Sequence, residues 1–434
     1  MEKFVVVLTS CFPFGKSEEF FESELPFLRR HFDKIAILAR NRQDPQTRSV
    51  PDGVELHRFS RVGFKGRLRY FRIPFMREFW GELRNIRRGG QVKLGVPLVR
   101  NLISFMIHGL HMRQELLRIL AKHGKLTSGA GVVLYAYWLE FPVYAAILLK
   151  RRIPGLTVIC RSHRCDLYWE SQPLCYLPLQ KYIAENIDSV YFESEQGRDY
   201  FIRKNRLTND GRLKVGRLGA KTRHVIAKAS SDGVWRILSC SFAVARKRVD
   251  LLVKALALID GFDIEWTHVG DGIDLNNLKA LSASLLGRRA NIKYEFKGYL
   301  PNDQVYAYYA GHCVDVLVNV SSSEGVPITM MEAFSHGVPI LATAVGGVPE
   351  IVNESNGALL PAEVSPEEVA RAIVKMRSLS PREIELLRNK AYETWHRYYD
   401  ADVNYENFAQ DVLELSGAVP GKPNLAAPLP LTPT

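Results

Sequence analysis

VDVLVNVSSSEGVPITMMEAFSHGVPILATAVGG, residues 314–347, decides how the chain is read. Val314–Val320 is an apolar run rich in valine, the pattern of a strand buried on both faces. Ser321–Gly325 then reads as the loop at that strand's carboxyl end. Pro327 suits the first turn of a helix, which should run to about His336, where Gly337 stops it. A second short strand, Pro339–Ala342, ends in a Gly-Gly loop. Glu324 therefore falls in the loop and Glu332 in the second turn of the helix. Free amides and the helix dipole favour an anion such as a diphosphate at the helix start. Carboxylates repel phosphate but accept hydrogen bonds from sugar and ribose hydroxyls. The pattern suits a nucleotide diphosphate sugar. The plainer alternatives are that Glu324 is a helix cap and Glu332 a solvent-facing helix residue.

The strand–helix alternation extends along the chain. Strand candidates in the first half are Phe4–Leu8, Ile35–Ala39, Val132–Tyr135, Thr157–Arg161 and Val190–Phe192. In the second half they are Arg236–Cys240, Glu265–Val269 and Ile292–Phe296, followed by the two strands above. Alternation of this kind predicts parallel sheets built from βαβ units. Ser365-Pro366-Glu367-Glu368 forms a capping box with proline at the first helical position, and Ser380-Pro381 opens another helix in the same way. At 434 residues the chain is too long for one ordinary core. The weak stretch Lys204–Lys214 marks a boundary between two similar α/β halves, 1–216 and 217–397. A final helix, 398–416, follows, and the tail 417–434 is expected to be disordered, with five prolines in its last 17 residues. Two doubly wound domains would hold a ligand at the carboxyl ends of their strands.

Composition is globular, with 47% hydrophobic and 24% charged residues. No apolar run approaches the about 20 residues that span a bilayer. Phe4–Leu8 is too short for the core of a signal segment, so the expectation is a cytoplasmic chain. Six cysteines without paired spacing suit reduced thiols. Cys160, His163, Cys165 and Cys175 lack the short paired spacing of a zinc knuckle, and no metal is expected.

The net charge of +12 is concentrated. Residues 58–93 hold eleven Lys or Arg against only Glu78 and Glu82, interleaved with Phe59, Phe64, Tyr70, Phe71, Phe75, Phe79 and Trp80. Basic residues mixed with bulky apolar ones suit a surface that lies on anionic lipid. Phosphates of a nucleic acid and a plain solvated face are the other two readings.

Glu324 and Glu332, with seven residues between them inside SEGVPITMMEAFSHGVPILATAVGG, resemble the signature of the family 4 retaining glycosyltransferases, which have the two-domain GT-B fold. HVGDGIDLNNL (268–278), FKGYLPNDQVYAYY (296–309) and ARKRVDLLVKAL (245–256) are similar to further segments of that family. SCFPFGKSEEFFESEL (10–25), YAYWLEFP (135–142) and RSHRCDLYWE (161–170) resemble its bacterial exopolysaccharide branch, the colanic-acid and amylovoran-type enzymes. The likeness covers about residues 1–415.

The resemblance implies two Rossmann-like domains facing a cleft, with the last helix crossing back to the first. It implies that Glu324 contacts the donor sugar and Glu332 the ribose, while Gly325, Val326 and Pro327 shape the loop. Lys247 matches the lysine that neutralises the leaving diphosphate, and His163 a cleft histidine near the sugar. Gly15 matches the small residue that lets the first loop approach phosphates. Asp166, Trp138 and Arg161 belong to the acceptor-side motifs. Phe242 stands where many relatives carry an arginine, so Arg246 or Arg248 would supply that charge. The implied partners are a nucleotide-sugar donor and a glycan acceptor, expected to be lipid-linked and met at the inner membrane through residues 58–93. No cofactor and no nucleic acid are implied. A nucleotide-sugar epimerase of the same fold and a basic nucleic-acid-binding protein are the rival readings. A dehydrogenase is disfavoured, because no Gly-x-Gly-x-x-Gly follows the first strand.

Overall fold

The computed structural model describes residues 2–15, 18–40, 44–59, 62–63, 70–222 and 224–417. Thirteen strands among these residues form two sheets. The first contains β1 (Phe4–Thr9), β2 (Lys34–Ala39), β3 (Val54–Arg58), β4 (Val132–Ala136), β5 (Thr157–Ser162), β6 (Ser189–Phe192) and β7 (Leu213–Val215). Their order is β3-β2-β1-β4-β5-β6-β7. The second contains β8 (Trp235–Cys240), β9 (Ile264–Val269), β10 (Ile292–Gly298), β11 (Val316–Asn319), β12 (Ile340–Thr343) and β13 (Gly357–Leu360), ordered β10-β9-β8-β11-β12-β13. Every neighbouring pair of the second sheet is parallel. Counted from its own first strand, each sheet begins with the order 3-2-1-4-5-6, the doubly wound Rossmann arrangement whose ligands sit beyond the carboxyl ends of the strands.

The apolar runs became the strands with helices on both faces. β1 and β4 are buried along their whole length. Trp266 and Ile264 of β9 reach a core shared with Val249, Leu252, Val253 and Leu256 of the helix Val249–Leu256. Glu265 and Thr267 alternate to the opposite, half-exposed face. Three strands escaped the sequence reading. β3 is a half-exposed edge strand of mixed composition, β7 has three residues, and β13 starts on a glycine. None carries the sustained apolar pattern of a central strand.

Both capping boxes form as expected. Ser365 Oγ accepts from Glu368 N at 3.3 Å and Glu368 Oε2 accepts from Ser365 N at 2.7 Å, with the same exchange between Ser380 and Glu383. The tail expected to be disordered, 417–434, lies outside the described residues but for Gly417.

By its contacts the chain divides into two compact units. One holds Met1–Cys160, Tyr176–Val190 and the C-terminal residues from Glu406; the other holds Arg161–Cys175 and Tyr191–Tyr405. The last helix, Ala401–Leu415, thus starts in the second unit and ends in the first. There His31 meets Glu406 at 2.6 Å, and Phe408 packs on Tyr135 with ring centroids 5.4 Å apart. The carboxyl ends of β5 and β6, and all of β7, belong to the second unit together with the second sheet.

Candidate active site

Four loops at the carboxyl ends of β8, β9, β11 and β12 build the site of the second unit. The loop after β8 runs Ser241–Val244 into a short 3-10 turn, Ala245–Lys247. Arg248 closes that turn in the left-handed region at φ 48° and starts the next helix. Its guanidinium donates to the carbonyls of Val320 (2.6 Å), Ser321 (3.0 Å) and Ala362 (2.8 Å). Arg248 therefore clamps the loop after β11, and Arg246 and Lys247 are the cations that project from the turn.

Lys247 Nζ donates to Glu324 Oε1, and Arg246 Nη1 lies 3.8 Å from Glu324 Oε2. Asn319 Nδ2 adds a 3.3 Å bond to the same carboxylate. Glu324 is buried. Burial pushes its pKa up, but the charge and hydrogen bond of Lys247 outweigh it, so the carboxyl is held below its ordinary value. Burial pulls Lys247 below its ordinary value despite the opposing effect of Glu324. The alternative that Glu324 is a simple helix cap does not describe this geometry, because its carboxylate reaches back to the β8 turn.

The helix after this loop is Ile328–Ser335, one residue shorter at each end than the sequence reading. Pro327 stands at its N-cap, and Gly337 ends the turn at φ 64°. Glu332 is only 3% exposed, which removes the solvent-facing alternative. Burial first, and the nearby Glu332 charge second, push the Cys240 thiol far up, while Lys247 pulls the other way. Lys247 and Cys240 line one small cavity at the end of β8.

Glycines set the spacing of these loops. A Cβ on Gly346, which has φ 55°, would lie 1.9 Å from the Glu324 carbonyl oxygen. Gly347 N donates to Gly325 O at 3.0 Å, tying the Gly-Gly loop to the Glu324 loop. In the GDG turn, Cβ atoms would fall 1.8 Å from Ser241 O at Gly270 and 2.4 Å from Ala243 O at Gly272. That turn holds up the β8 loop. Phe242, 60% exposed, presents no charge there.

His163 follows β5 in the same unit. Its backbone N–H donates to Asp166 Oδ1 at 2.6 Å, which also accepts from Ser162 Oγ at 3.1 Å. Asp166 thereby shapes the turn. Arg161 is buried and donates to Gly216 O at 2.7 Å. His163 Nδ1 lies 2.5 Å from Glu193 Oε1. Next to His163, Arg164 Nε donates to Ser323 Oγ at 2.9 Å. The structure thus joins the histidine turn to the Glu324 loop within one unit.

Glu193, Arg164, Ser323 and Asn319 escaped the sequence reading. A glutamate after a strand or a serine in a loop looks like surface until the fold shows what it touches. The short stretch SSSEG, with three serines before the glutamate, is the one signal that marks Ser323.

Gly15 and Trp138 belong to the first unit. Gly15 has φ 74° and follows a loop wrapped around a carboxylate. Glu18 accepts from the backbone N–H groups of Ser10 (2.7 Å), Cys11 (2.6 Å) and Phe12 (2.6 Å), and from the indole N–H of Trp138. No group of three or more His, Cys, Asp or Glu positioned to hold a metal occurs among the described residues.

Residues 236–378 match the sequence family described as "Glycosyl transferases group 1". Sulfoquinovosyl transferase SQD2 of Arabidopsis thaliana is 32% identical over 106 residues, 24% of this chain and 20% of that protein. The amylovoran biosynthesis glycosyltransferase AmsK of Erwinia amylovora is 22% identical over 148 residues, 32% of this chain and 35% of that protein. These alignments span a fifth to about a third of the relatives' own length. Sucrose-phosphate synthase from Thermosynechococcus elongatus superimposes with a TM-score of 0.69 at 15% identity, covering 96% of this chain and 100% of that one. Anabaena HepE, solved in complex with UDP, does so with a TM-score of 0.63 at 15% identity, covering 95% and 100%. The fold is therefore GT-B, the two-Rossmann-sheet architecture of these glycosyltransferases, as the sequence resemblance implied.

Proposed function

We propose that the chain is a retaining glycosyltransferase that moves a sugar from a nucleotide diphosphate donor to a glycan in exopolysaccharide or cell-surface polysaccharide synthesis. The observation that carries this reading is the Lys247–Glu324 pair beside Arg246, at the start of a helix inside the matched family segment. Residues 217–397 take the donor and residues 1–216 the acceptor. Lys247, Arg246 and the amides at the start of Ile328–Ser335 receive the diphosphate charge as it develops. Glu324 and His163 orient the sugar, and Glu332 the ribose. The reading assigns Gly325, Val326 and Pro327 to the shape of the donor loop, Gly15 to the phosphates, and Asp166, Trp138 and Arg161 to the acceptor.

In the proposed step the sugar C1–O bond to the diphosphate breaks, and the bond from C1 to the acceptor oxygen forms on the same face. The acceptor proton passes to the departing phosphate oxygen. The cations named above supply the charge, and the reading assigns no metal or cofactor. That HepE was solved with UDP and that AmsK is named for amylovoran biosynthesis support the donor class and the pathway class. The test is incubation with a panel of nucleotide sugars and lipid-linked acceptors. Release of nucleoside diphosphate with a glycan product of retained anomeric configuration supports the reading. Free epimerised sugar would favour the epimerase.

The acceptor is lipid-linked and met on the inner face of the membrane. Of residues 58–93, the segment Ile73–Phe75 and the helix Arg77–Gly89 support this. Phe71, Phe75 and Trp80 are 67%, 83% and 55% exposed beside the exposed Arg72, Arg77, Arg84, Arg87 and Arg88. The opposite side of the helix is anchored by buried Phe79, Leu83 and Ile86 and by Glu82, which accepts from Tyr176 Oη at 2.8 Å and Leu179 N at 3.0 Å. Exposed aromatic side chains among cations suit an anionic lipid surface, into which the rings can insert while the cations meet the headgroups. No helix among the described residues is long and apolar enough to cross a membrane.

A further inference from the structure

Glu193 follows β6, whose last residue is Phe192. One oxygen lies 2.5 Å from His163 Nδ1, and the other lies 2.8 Å from where a Cβ on Gly325 would stand. A single carboxylate therefore touches the histidine turn and backs the loop that carries Glu324. The groups acting on the imidazole are Glu193 from the end of β6, Asp166 from the turn after β5 and Arg161 from β5 itself. Burial pulls the imidazole pKa down, but the charge and hydrogen bond of Glu193, with Asp166 behind them, leave it raised above its ordinary value.

We propose that Glu193 is a positioning residue: its carboxylate accepts the Nδ1 proton of His163, fixes the ring's tautomer and orientation, and holds the Gly325 loop at the distance this pairing requires. A carboxylate on Nδ1 sets which ring nitrogen carries the proton, and so what the other edge of the ring offers a substrate. Gly325 then has a specific reason to be glycine. No left-handed backbone is involved; an added Cβ would push the Glu193 carboxylate, the movable end of its side chain, away from its place beside the imidazole. The role deepens the glycosyltransferase reading and rests on it for its effect on turnover, but the pairing can be measured without turnover.

The experiment combines three variants with two readouts. In E193Q the His163 pKa, followed by NMR of the ring, should fall, because the carboxylate charge that offsets burial is then gone. With the best donor, kcat should fall at least about tenfold while donor KM stays within about twofold, the signature of lost orientation rather than lost binding. The pH–rate profile should move with the ring, and E193D should restore part of it. G325A should impair turnover, and the double variant G325A/E193A should be less impaired than the two losses combined, since the clashing carboxylate is gone. A folded E193Q with the His163 titration unchanged overturns the proposal, as does an unchanged pH profile. If wild type uses no nucleotide sugar, the glycosyltransferase reading fails, while the titration still decides whether Glu193 governs the ring.

Discussion

Two carboxylates, one in each unit, sit in loops beyond the strands of a Rossmann-like sheet, and their partners differ in kind. Glu18, near β1, is surrounded by three backbone N–H groups and an indole, all neutral donors. Glu324, after β11, is surrounded by an ammonium, a guanidinium and an amide. Neutral backbone donors fix the shape of a loop and commit the carboxylate to it. Mobile cationic side chains can exchange one anion for another. The same element, a buried carboxylate after a strand, is structural where the backbone holds it and suits chemistry where side chains do.

The largest expected effect breaks the Glu324 side. Lys247→Ala should lower kcat about 10²–10³-fold, the loss seen when one preorganised charge-stabilising donor is removed. Donor KM should rise less, because the charge on the diphosphate grows as the bond breaks. A variant that loses only donor affinity would show that Lys247 binds without assisting departure.

Next comes the backbone beneath that carboxylate. Gly346→Ala should cost about 2–4 kcal/mol in denaturant unfolding, since it adds a Cβ in the left-handed region against the Glu324 carbonyl. Gly81→Ala, on a helix with nothing within 4 Å of the added Cβ, should instead stabilise by about 0.5–1 kcal/mol. Equal effects would mean that the loop adapts.

Glu18→Ala sharpens the other side of the comparison. Four donors lose their shared acceptor, so stability should fall by about 2–3 kcal/mol, with nucleotide affinity unchanged in calorimetry. A large loss of affinity would make Glu18 part of the binding site and dissolve the contrast.

Smaller still is the pH dependence. The folded pKa of Glu324 lies below its ordinary 4.5, so the stability it contributes is present above that value and is lost as pH falls through the depressed one. The stability difference between wild type and E324Q, from urea unfolding between pH 7 and pH 3, should therefore shrink in the acid limb. A constant difference would mean that the pairing with Lys247 is not formed in solution. The smallest change in stability belongs to the surface. Changing Arg72, Arg77, Arg84, Arg87 and Arg88 to glutamine should leave stability within about 0.5 kcal/mol per site, yet abolish co-sedimentation with anionic vesicles. Equal binding to neutral and anionic vesicles would discard the membrane reading.

Legibility in the sequence followed burial. β1, β4 and β11 are apolar but for at most their last residue and β5 and β8 have apolar centres, so all five could be read directly, and Pro327 and Gly337 punctuated the helix between β11 and β12. β3, β7 and β13 are short or half-exposed and carry no such pattern. In the site, Glu324 could be placed from the strand–loop–helix pattern and from the likeness of 323–347, and Lys247 from the likeness of the separate segment 245–256. Glu193 did not, because its meaning lies in a histidine 30 residues away and a glycine 132 residues away, contacts that only the fold creates. Arg248 could be read as a cation beside Lys247, but the carbonyls that occupy it belong to loops more than 70 residues downstream.

The Lys247–Glu324 pair is proposed to mark a nucleoside diphosphate site. Isothermal titration of UDP, GDP and ADP into wild type and K247A tests it most directly. At least one of the three should bind wild type and bind K247A at least about tenfold more weakly, a loss of about 1.4 kcal/mol or more. No binding by any of them, or equal binding by both proteins, would contradict it.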